Sequence, residues 1–170
     1  SSAGTISCNG GTTTVTVSAT GGTAPYTGAG SFTVGAGSYS YTVSDANGCS
    51  SITSVSVSQP SALSASSSAG TISCNGGTTT MTVSATGGTA PYTGTGNFTV
   101  GAGSYSYTVT DANGCSSITS KTITQPSALS ASSSAGTISC NGGTTTVTVS
   151  ATGGTAPYTG TGSFTVGAGS

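Results

Sequence analysis

The five cysteines are the side chains of this sequence with the most chemistry to offer, and they stand at positions 8, 49, 74, 115 and 140. A cysteine nucleophile needs a base such as histidine to form its thiolate, and the sequence contains no histidine. A structural zinc ion needs four ligands, and neither a CxxC pair nor a histidine is present to complete such a set. The cysteine chemistry that remains is disulfide formation.

The spacing of the cysteines exposes an internal repeat. The segment SSAGTISCNGGTTT occurs three times, with its cysteine at positions 8, 74 and 140, so the period is 74 − 8 = 66 residues. We divide the chain into repeat 1 (1–66), repeat 2 (67–132) and repeat 3 (133–170), which stops before the second cysteine of the period. We expect further residues or a neighbouring chain to complete repeat 3. A fixed period in which every chemical group recurs is typical of a stalk, a fibre or a multivalent surface.

Each full repeat holds two cysteines, and we predict a bridge inside each repeat: Cys8 with Cys49, and Cys74 with Cys115. A 66-residue module with few large apolar side chains is near the lower limit for an autonomous core, so we expect a covalent cross-link to stabilise it. Closing such a loop stabilises the fold by about 4 kcal/mol in the chain-entropy model. An alternative bridge joins Cys49 to Cys74 across the repeat boundary. The partner of Cys140 is expected beyond residue 170, and bridges imply an oxidising, extracellular setting.

The only carboxylate side chains are Asp45 and Asp111, one in each full repeat. Each stands before an Ala-Asn-Gly sequence, where aspartate is an ordinary turn residue that accepts local backbone hydrogen bonds. The other interpretation is a calcium ligand, but one carboxylate per repeat falls short of the several oxygen ligands that Ca²⁺ takes. We therefore predict a structural turn, with no metal site, no cofactor and no catalytic residue.

Charge is almost absent, with one basic residue, Lys121, and two acidic ones in 170 residues. A single lysine cannot neutralise the phosphates of a nucleic acid or of an anionic membrane surface, so we expect neither as a partner. Hydrolytic catalysis has no support either, because no nucleophile has a base beside it. We expect no enzyme.

The elements that must position these groups are strands, because apolar and hydroxyl side chains alternate with a period of two. Val15 and Val17 share one face, and Tyr39, Tyr41 and Val43 share another. Gly-rich and Asn-Gly turns separate six or seven short strands per repeat, and helix signals are missing. This pattern predicts an all-β fold of tandem, small, Ig-like antiparallel β-sandwich modules that form an extended rod.

Repeat 1 also carries a more specific order of motifs. Cys-Asn-Gly near the start is followed by Gly-Gly-Thr-Ala-Pro-Tyr, by GSYSYTVSDANGC (37–49, with its counterpart Gly103 to Cys115), and by a closing Gln-Pro. This order resembles the SprB repeat of large surface adhesins in gliding Bacteroidota, and it covers the whole period. The resemblance implies a β-sandwich, export to the cell surface and a role in adhesion, gliding or extracellular filaments. One departure is Gly28-Ala29-Gly30, where the family often has an aromatic residue.

These observations favour a structural or adhesive repeat region of a secreted bacterial cell-surface protein. It would act as a stalk, an adhesin or an extracellular filament subunit, with other copies of the same chain or surface glycans as partners. The alternative is an ice-binding or carbohydrate-binding surface, because outward rows such as Thr12, Thr14 and Thr16 could order water and the tyrosines could stack on sugars. A membrane anchor is not within these residues and is expected elsewhere.

Overall fold

The computed structural model describes residues 1–169, and they form strands and turns without a helix. Within this range there is accordingly no helix that could cross a membrane. The strands, in chain order, are β1 (Ser2–Ala3), β2 (Thr13–Val17), β3 (Gly30–Val34), β4 (Gly37–Ser44), β5 (Ser50–Val57), β6 (Ser64–Ala69), β7 (Thr79–Thr86), β8 (Gly96–Val100), β9 (Gly103–Thr110), β10 (Ser116–Ile123), β11 (Ser130–Ala135), β12 (Thr144–Thr152) and β13 (Gly162–Gly167).

The strands form small antiparallel sheets that recur with the sequence period. Three-stranded sheets have the orders β1-β2-β3, β6-β7-β8 and β11-β12-β13, and the pairs β4-β5 and β9-β10 form two-stranded sheets. The predicted all-β class of small antiparallel modules is confirmed. Each full period contributes five strands rather than the predicted six or seven, because the Gly-Gly and Ala-Pro-Tyr segments form turns and only an isolated bridge, Thr27 to Ser44.

The chain folds into two compact units that do not coincide with the repeats. The first unit comprises Ser1–Ser66, Val83–Gly96 and Ser106–Thr119, and the second comprises Ser67–Thr82, Asn97–Tyr105 and Ser120–Ser170. Both units therefore take residues from repeat 2, and the repeat boundaries at 66 and 132 stay predictions.

In the first unit, a core lies between β1-β2-β3 and the β4-β5 hairpin. Its buried members are aliphatic, and they are Ile6, Val15, Val17, Val43 and Val57. The rings of Phe32 and Tyr41 stack at the margin, with centroids 4.6 Å apart. Val15 pairs with Phe32 across β2 and β3, while Thr14 and Thr16 point outward, so the predicted alternation is confirmed.

The β4-β5 hairpin has a regular register from Gly37 opposite Val57 to Ser44 opposite Ser50. This register contains no bulge, and Ile52 lies opposite Thr42 with its side chain 68% exposed. Gly28 fits closely beneath this hairpin at a positive φ of 81°, because a Cβ at this position would collide with the Thr42 carbonyl oxygen.

The buried apolar side chains of the second unit include Ile72, Met81 and Ile123. Met81 is fully buried at the position of Val15, as its apolar character predicts, and Lys121 is exposed, as its charge predicts. Sheet β11-β12-β13 leaves Phe164 47% exposed, although its counterpart Phe32 is half-buried. Phe32 stacks on Tyr41 of β4, and residues 133–170 hold no counterpart of Tyr41.

Candidate functional site: the disulfide between repeats and the cleft beside Cys49

The most distinctive site of the first unit is a disulfide that joins two repeats. Cys8 of repeat 1 is bonded to Cys115 of repeat 2, with 5.7 Å between their Cα atoms and 107 positions between them along the chain. This Cα separation lies within the usual range for disulfides. The first cysteine of one repeat is therefore linked to the second cysteine of the next.

The predicted pairing within repeats, Cys8 with Cys49 and Cys74 with Cys115, is wrong. Cys49 follows the turn that closes the β4-β5 hairpin, whereas the Cys8 loop is held at the opposite end of that hairpin, beside Gln59. A hairpin of eight residues per strand is about 25 Å long. Cysteines separated by that length cannot be bridged, because a disulfide requires Cα atoms within about 7 Å.

The alternative pair, Cys49 with Cys74, is not formed either. Both of these cysteines are unpaired and exposed, and so is Cys140.

A turn and two hydrogen bonds position Cys8. The N–H of Gly11 donates to the Cys8 carbonyl at 3.0 Å, and Gly10 has a positive φ of 79° that suits glycine. The Asn9 side chain donates to the carbonyl of Pro60 at 3.0 Å, and the Gly10 N–H donates to Oε1 of Gln59 at 2.8 Å. The Gln-Pro end of the repeat thus anchors the cysteine loop.

Asp111 positions Cys115. Its Oδ1 accepts the N–H groups of Asn113 and Cys115 at 2.9 Å each, and its Oδ2 accepts the N–H of Thr89 at 2.9 Å. Burial raises the pKa of Asp111, but the hydrogen bonds from Thr89, Cys115 and Asn113 outweigh it, so the pKa lies below its usual range. With both oxygens engaged by backbone donors, the predicted turn role of this aspartate is confirmed.

Further hydrogen bonds join repeat 1 to repeat 2 around the disulfide. The Asn113 side chain donates to the carbonyl of Ser7 at 3.0 Å, next to the bridged Cys8. The N–H of Gly88 donates to the carbonyl of Ser61 at 2.9 Å. The disulfide therefore lies within an interface between repeats 1 and 2 that hydrogen bonds also stabilise. Sequence reasoning missed Gln59 and Asn113, although their recurrence one period apart from Gln125 and Asn47 offered a weak signal.

Repeat 1 carries a second copy of the aspartate turn, with the cysteine unpaired. Asp45 accepts N–H groups from Thr23 at 3.1 Å, Asn47 at 3.0 Å and Cys49 at 2.8 Å. The hydrogen bond from Thr23, helped by those from Cys49 and Asn47 and opposed by burial, holds the pKa of Asp45 below its usual range. This turn is thus preorganised for a bridge that the cysteine does not make.

An open cleft of about 330 Å³ lies beside this turn, and we call it the Cys49 cleft. It is lined by two stretches of chain with mixed polar and apolar side chains, together with isolated residues: Ser18 to Gly22, Tyr26, Val43, Asp45 and Cys49 to Thr53. The hydroxyl of Tyr26 donates to the Gly21 carbonyl at 2.7 Å and fixes one wall.

Some of the outward hydroxyls and several tyrosines are engaged within the fold, whereas Thr12, Thr14 and Thr16 are exposed. Outward hydroxyls pair across strands, as Ser38 does with Ser56 at 3.1 Å. Tyr39 and Tyr41 pack against the core, and the hydroxyl of Tyr39 donates to the Gly35 carbonyl at 3.1 Å. The two tyrosines of β4 therefore support the sandwich and do not form an exposed platform for a sugar.

In the described residues 1–169, no three His, Cys, Asp or Glu side chains come together in a group that could hold a metal ion. No protein-family model matches the sequence, and no well-characterised protein matches it.

Proposed function

We propose that this chain is a structural and adhesive repeat region of a secreted bacterial cell-surface protein, serving as a stalk, an adhesin or an extracellular filament subunit. The observation that carries the proposal is the disulfide from Cys8 to Cys115, which ties one repeat to the next. A covalent link between consecutive repeats serves a chain that must bear load along its length. It also needs an oxidising compartment, where such bonds persist.

Three further features support this role. The chain has almost no charge, so neighbouring copies do not repel one another at close range. Its repeated surface multiplies any weak contact through effective concentration, whether the partner is another copy or a surface glycan. The motif order of each full repeat is similar to the SprB repeat of bacterial surface adhesins.

Immunogold electron microscopy tests this proposal. Antibodies raised against the 170-residue chain are applied to intact and to permeabilised cells of the bacterium that produces it. We expect gold particles outside intact cells, on fibres or on the envelope. Labelling that requires permeabilisation and lies in the cytoplasm would overturn the proposal.

A further inference from the structure

The strand β4 lies at an open edge of its sheet. It pairs with β5 on one side, and the register of that pair runs from Gly37 to Ser44 without a bulge. On its other side the described part of the chain places no strand, and an isolated bridge to Thr27 covers only the last residue of β4. Most of this edge is therefore accessible to another strand.

The hydrogen bonds of the bridge show which backbone groups face the open side. The N–H of Ser44 donates to the Thr27 carbonyl at 3.0 Å, and the Ser44 carbonyl accepts the N–H of Thr27 at 2.8 Å, so both groups of Ser44 point away from β5. Along an antiparallel strand, the backbone groups of alternate residues point to the same side. Ser40 and Ser38, four and six positions earlier, therefore direct their N–H and carbonyl groups toward the open side.

This edge carries none of the features that usually keep edge strands from pairing. Proteins protect such edges with lysine, proline or bulges, because unpaired N–H and carbonyl groups attract other strands. The sequences of β4 and its counterpart β9 are GSYSYTVS and GSYSYTVT, without a charge or a proline. Repulsion between copies is also weak, since the whole chain holds one basic and two acidic side chains. A second copy of the chain therefore meets no electrostatic or steric barrier to pairing at this edge.

The open edge is a property of each full repeat and does not depend on the neighbouring repeats. Within the described residues β9 has β10 as its one partner strand, with a matching isolated bridge at its end. Ser104 and Ser106 of β9 are exposed, as Ser38 and Ser40 of β4 are. Repeat 1 is followed by all of repeat 2, and repeat 2 is preceded by all of repeat 1. Neither a following nor a preceding repeat therefore covers this edge.

We propose that two copies of this chain associate laterally through this edge, with β4 or β9 of one copy antiparallel to β4 or β9 of the other. Addition of a strand to an open sheet edge is a recurrent mode of protein association. Because the same strand lies on both sides, the contact is self-complementary about a two-fold axis. This inference rests on the proposed structural role, and it names the partner and the surface for it.

The covered end of β4 fixes the register of the pair. The Thr42 carbonyl lies against Gly28, so a partner strand can bond only to the backbone groups of Ser38 and Ser40. Both residues are used when Ser38 of one copy lies opposite Ser40 of the other, and each opposed pair then exchanges N–H and carbonyl hydrogen bonds in both directions. In this register Tyr39 lies opposite Tyr39 of the second copy, at a position where antiparallel side chains come closest.

Proline substitution tests the edge. In Ser40→Pro/Ser106→Pro the N–H on the open side is lost in both full repeats, while the hairpins keep their own hydrogen bonds because this N–H points away from them. The matched control is Ser54→Pro/Ser120→Pro. Ser54 lies opposite Ser40 in β5, and Ser120 is its counterpart one period along, so the control places proline on the other edge of the same hairpins.

All proteins in this test carry serine at the three unpaired cysteines and keep the disulfide from Cys8 to Cys115. Sedimentation velocity at rising concentration measures association. We expect the parent and the control to form dimers and larger species as the concentration rises. Ser40→Pro/Ser106→Pro should associate about tenfold more weakly, because hydrogen bonds are lost from both halves of each symmetric pair. A parent that stays monomeric, or equal association of the two proline variants, would overturn the proposal.

A second readout tests the register and does not depend on proline. The variants Ser38→Cys and Ser40→Cys are prepared separately in the same background, mixed in equal amounts and oxidised, and the linked peptides are counted by mass spectrometry. Directly opposed residues of this kind have Cα atoms about 5.5 Å apart, within the range for a disulfide, whereas two like positions are offset along the strands.

Random collision gives links between positions 38 and 40 at twice the yield of either like pair, and we expect an excess several times larger than this. An excess no larger than the random one would contradict the proposed register. Either failure leaves the immunogold result standing, so the lateral pairing and the surface role fail separately.

Discussion

At the scale of single residues, the two aspartates hold the turns from which two of the cysteines project. Each one gathers three backbone N–H groups and so fixes the turn that presents a cysteine: Asp45 presents Cys49 and Asp111 presents Cys115. A carboxylate that accepts several backbone hydrogen bonds is stabilised in its charged form, which explains the lowered pKa of both groups.

The pH dependence of folding follows from these shifts. Because the pKa of each aspartate is lower in the folded chain than the ordinary 3.8, their stabilisation is fully present above that pH. It is lost as the pH falls through the folded-state values. We expect the midpoint of urea unfolding, measured between pH 6 and pH 2, to decline only below about pH 4.

The double variant Asp45→Asn/Asp111→Asn is a clean control, because it removes both acidic side chains of the molecule. Its unfolding midpoint should be lower at pH 6 and nearly flat through the acid range. An acid decline as steep as that of the unchanged chain would contradict the assigned role of the aspartates.

Residue types alone predicted that the cysteines form disulfides, but they did not predict which cysteines pair. The absence of histidine and of a CxxC pair correctly pointed to disulfide chemistry. The pairing depends on which end of a hairpin each cysteine occupies, and the end for Cys8 is set by hydrogen bonds to Gln59 and Pro60 from a distant part of the sequence. No local pattern contains that information.

At the scale of elements, alternation predicted the buried faces well because each strand is buried on one side. Val15, Val43 and Met81 all lie inward as expected. The number of strands was overestimated because the alternation of apolar and hydroxyl side chains continues into Gly-rich segments that form turns. The hydroxyls of Tyr39 and Tyr26 donate to the backbone carbonyls of Gly35 and Gly21.

The close approach of Gly28 to the hairpin gives a prediction for the element scale. Gly28 and Gly10 have similar positive φ values, 81° and 79°, so alanine is strained at both. A Cβ at Gly28 would collide with the Thr42 carbonyl oxygen, whereas a Cβ at Gly10 would meet nothing within 4 Å. We therefore expect Gly28→Ala to lower the free energy of unfolding by about 1–3 kcal/mol more than Gly10→Ala does.

Urea unfolding of the two alanine variants measures this difference. Because alanine at positive φ is strained in both variants, subtracting the loss of stability in Gly10→Ala leaves the effect of the collision at Gly28. Equal losses of stability would mean that Gly28 is required for its φ angle alone and that the hairpin does not press on it.

At the scale of the whole molecule, the bridge from Cys8 to Cys115 links consecutive repeats covalently through their side chains as well as through the backbone. Repeats linked by peptide bonds alone can unfold one after another under load. A disulfide across 107 positions closes a loop that contains most of repeats 1 and 2 and stabilises the fold by about 5 kcal/mol in the chain-entropy model. It also keeps the residues inside that loop from extending when the ends are pulled.

Single-molecule pulling of the 170-residue chain from its two ends, with and without a reducing agent, tests this claim most directly. At about 3.5 Å per extended residue, the 107 positions between the bridged cysteines correspond to about 370 Å of hidden length. We predict that reduction, or the substitution Cys8→Ser, lengthens the fully stretched chain by about that amount, while Cys140→Ser leaves the length unchanged. A stretched length that is the same with the bridge present and absent would contradict the account.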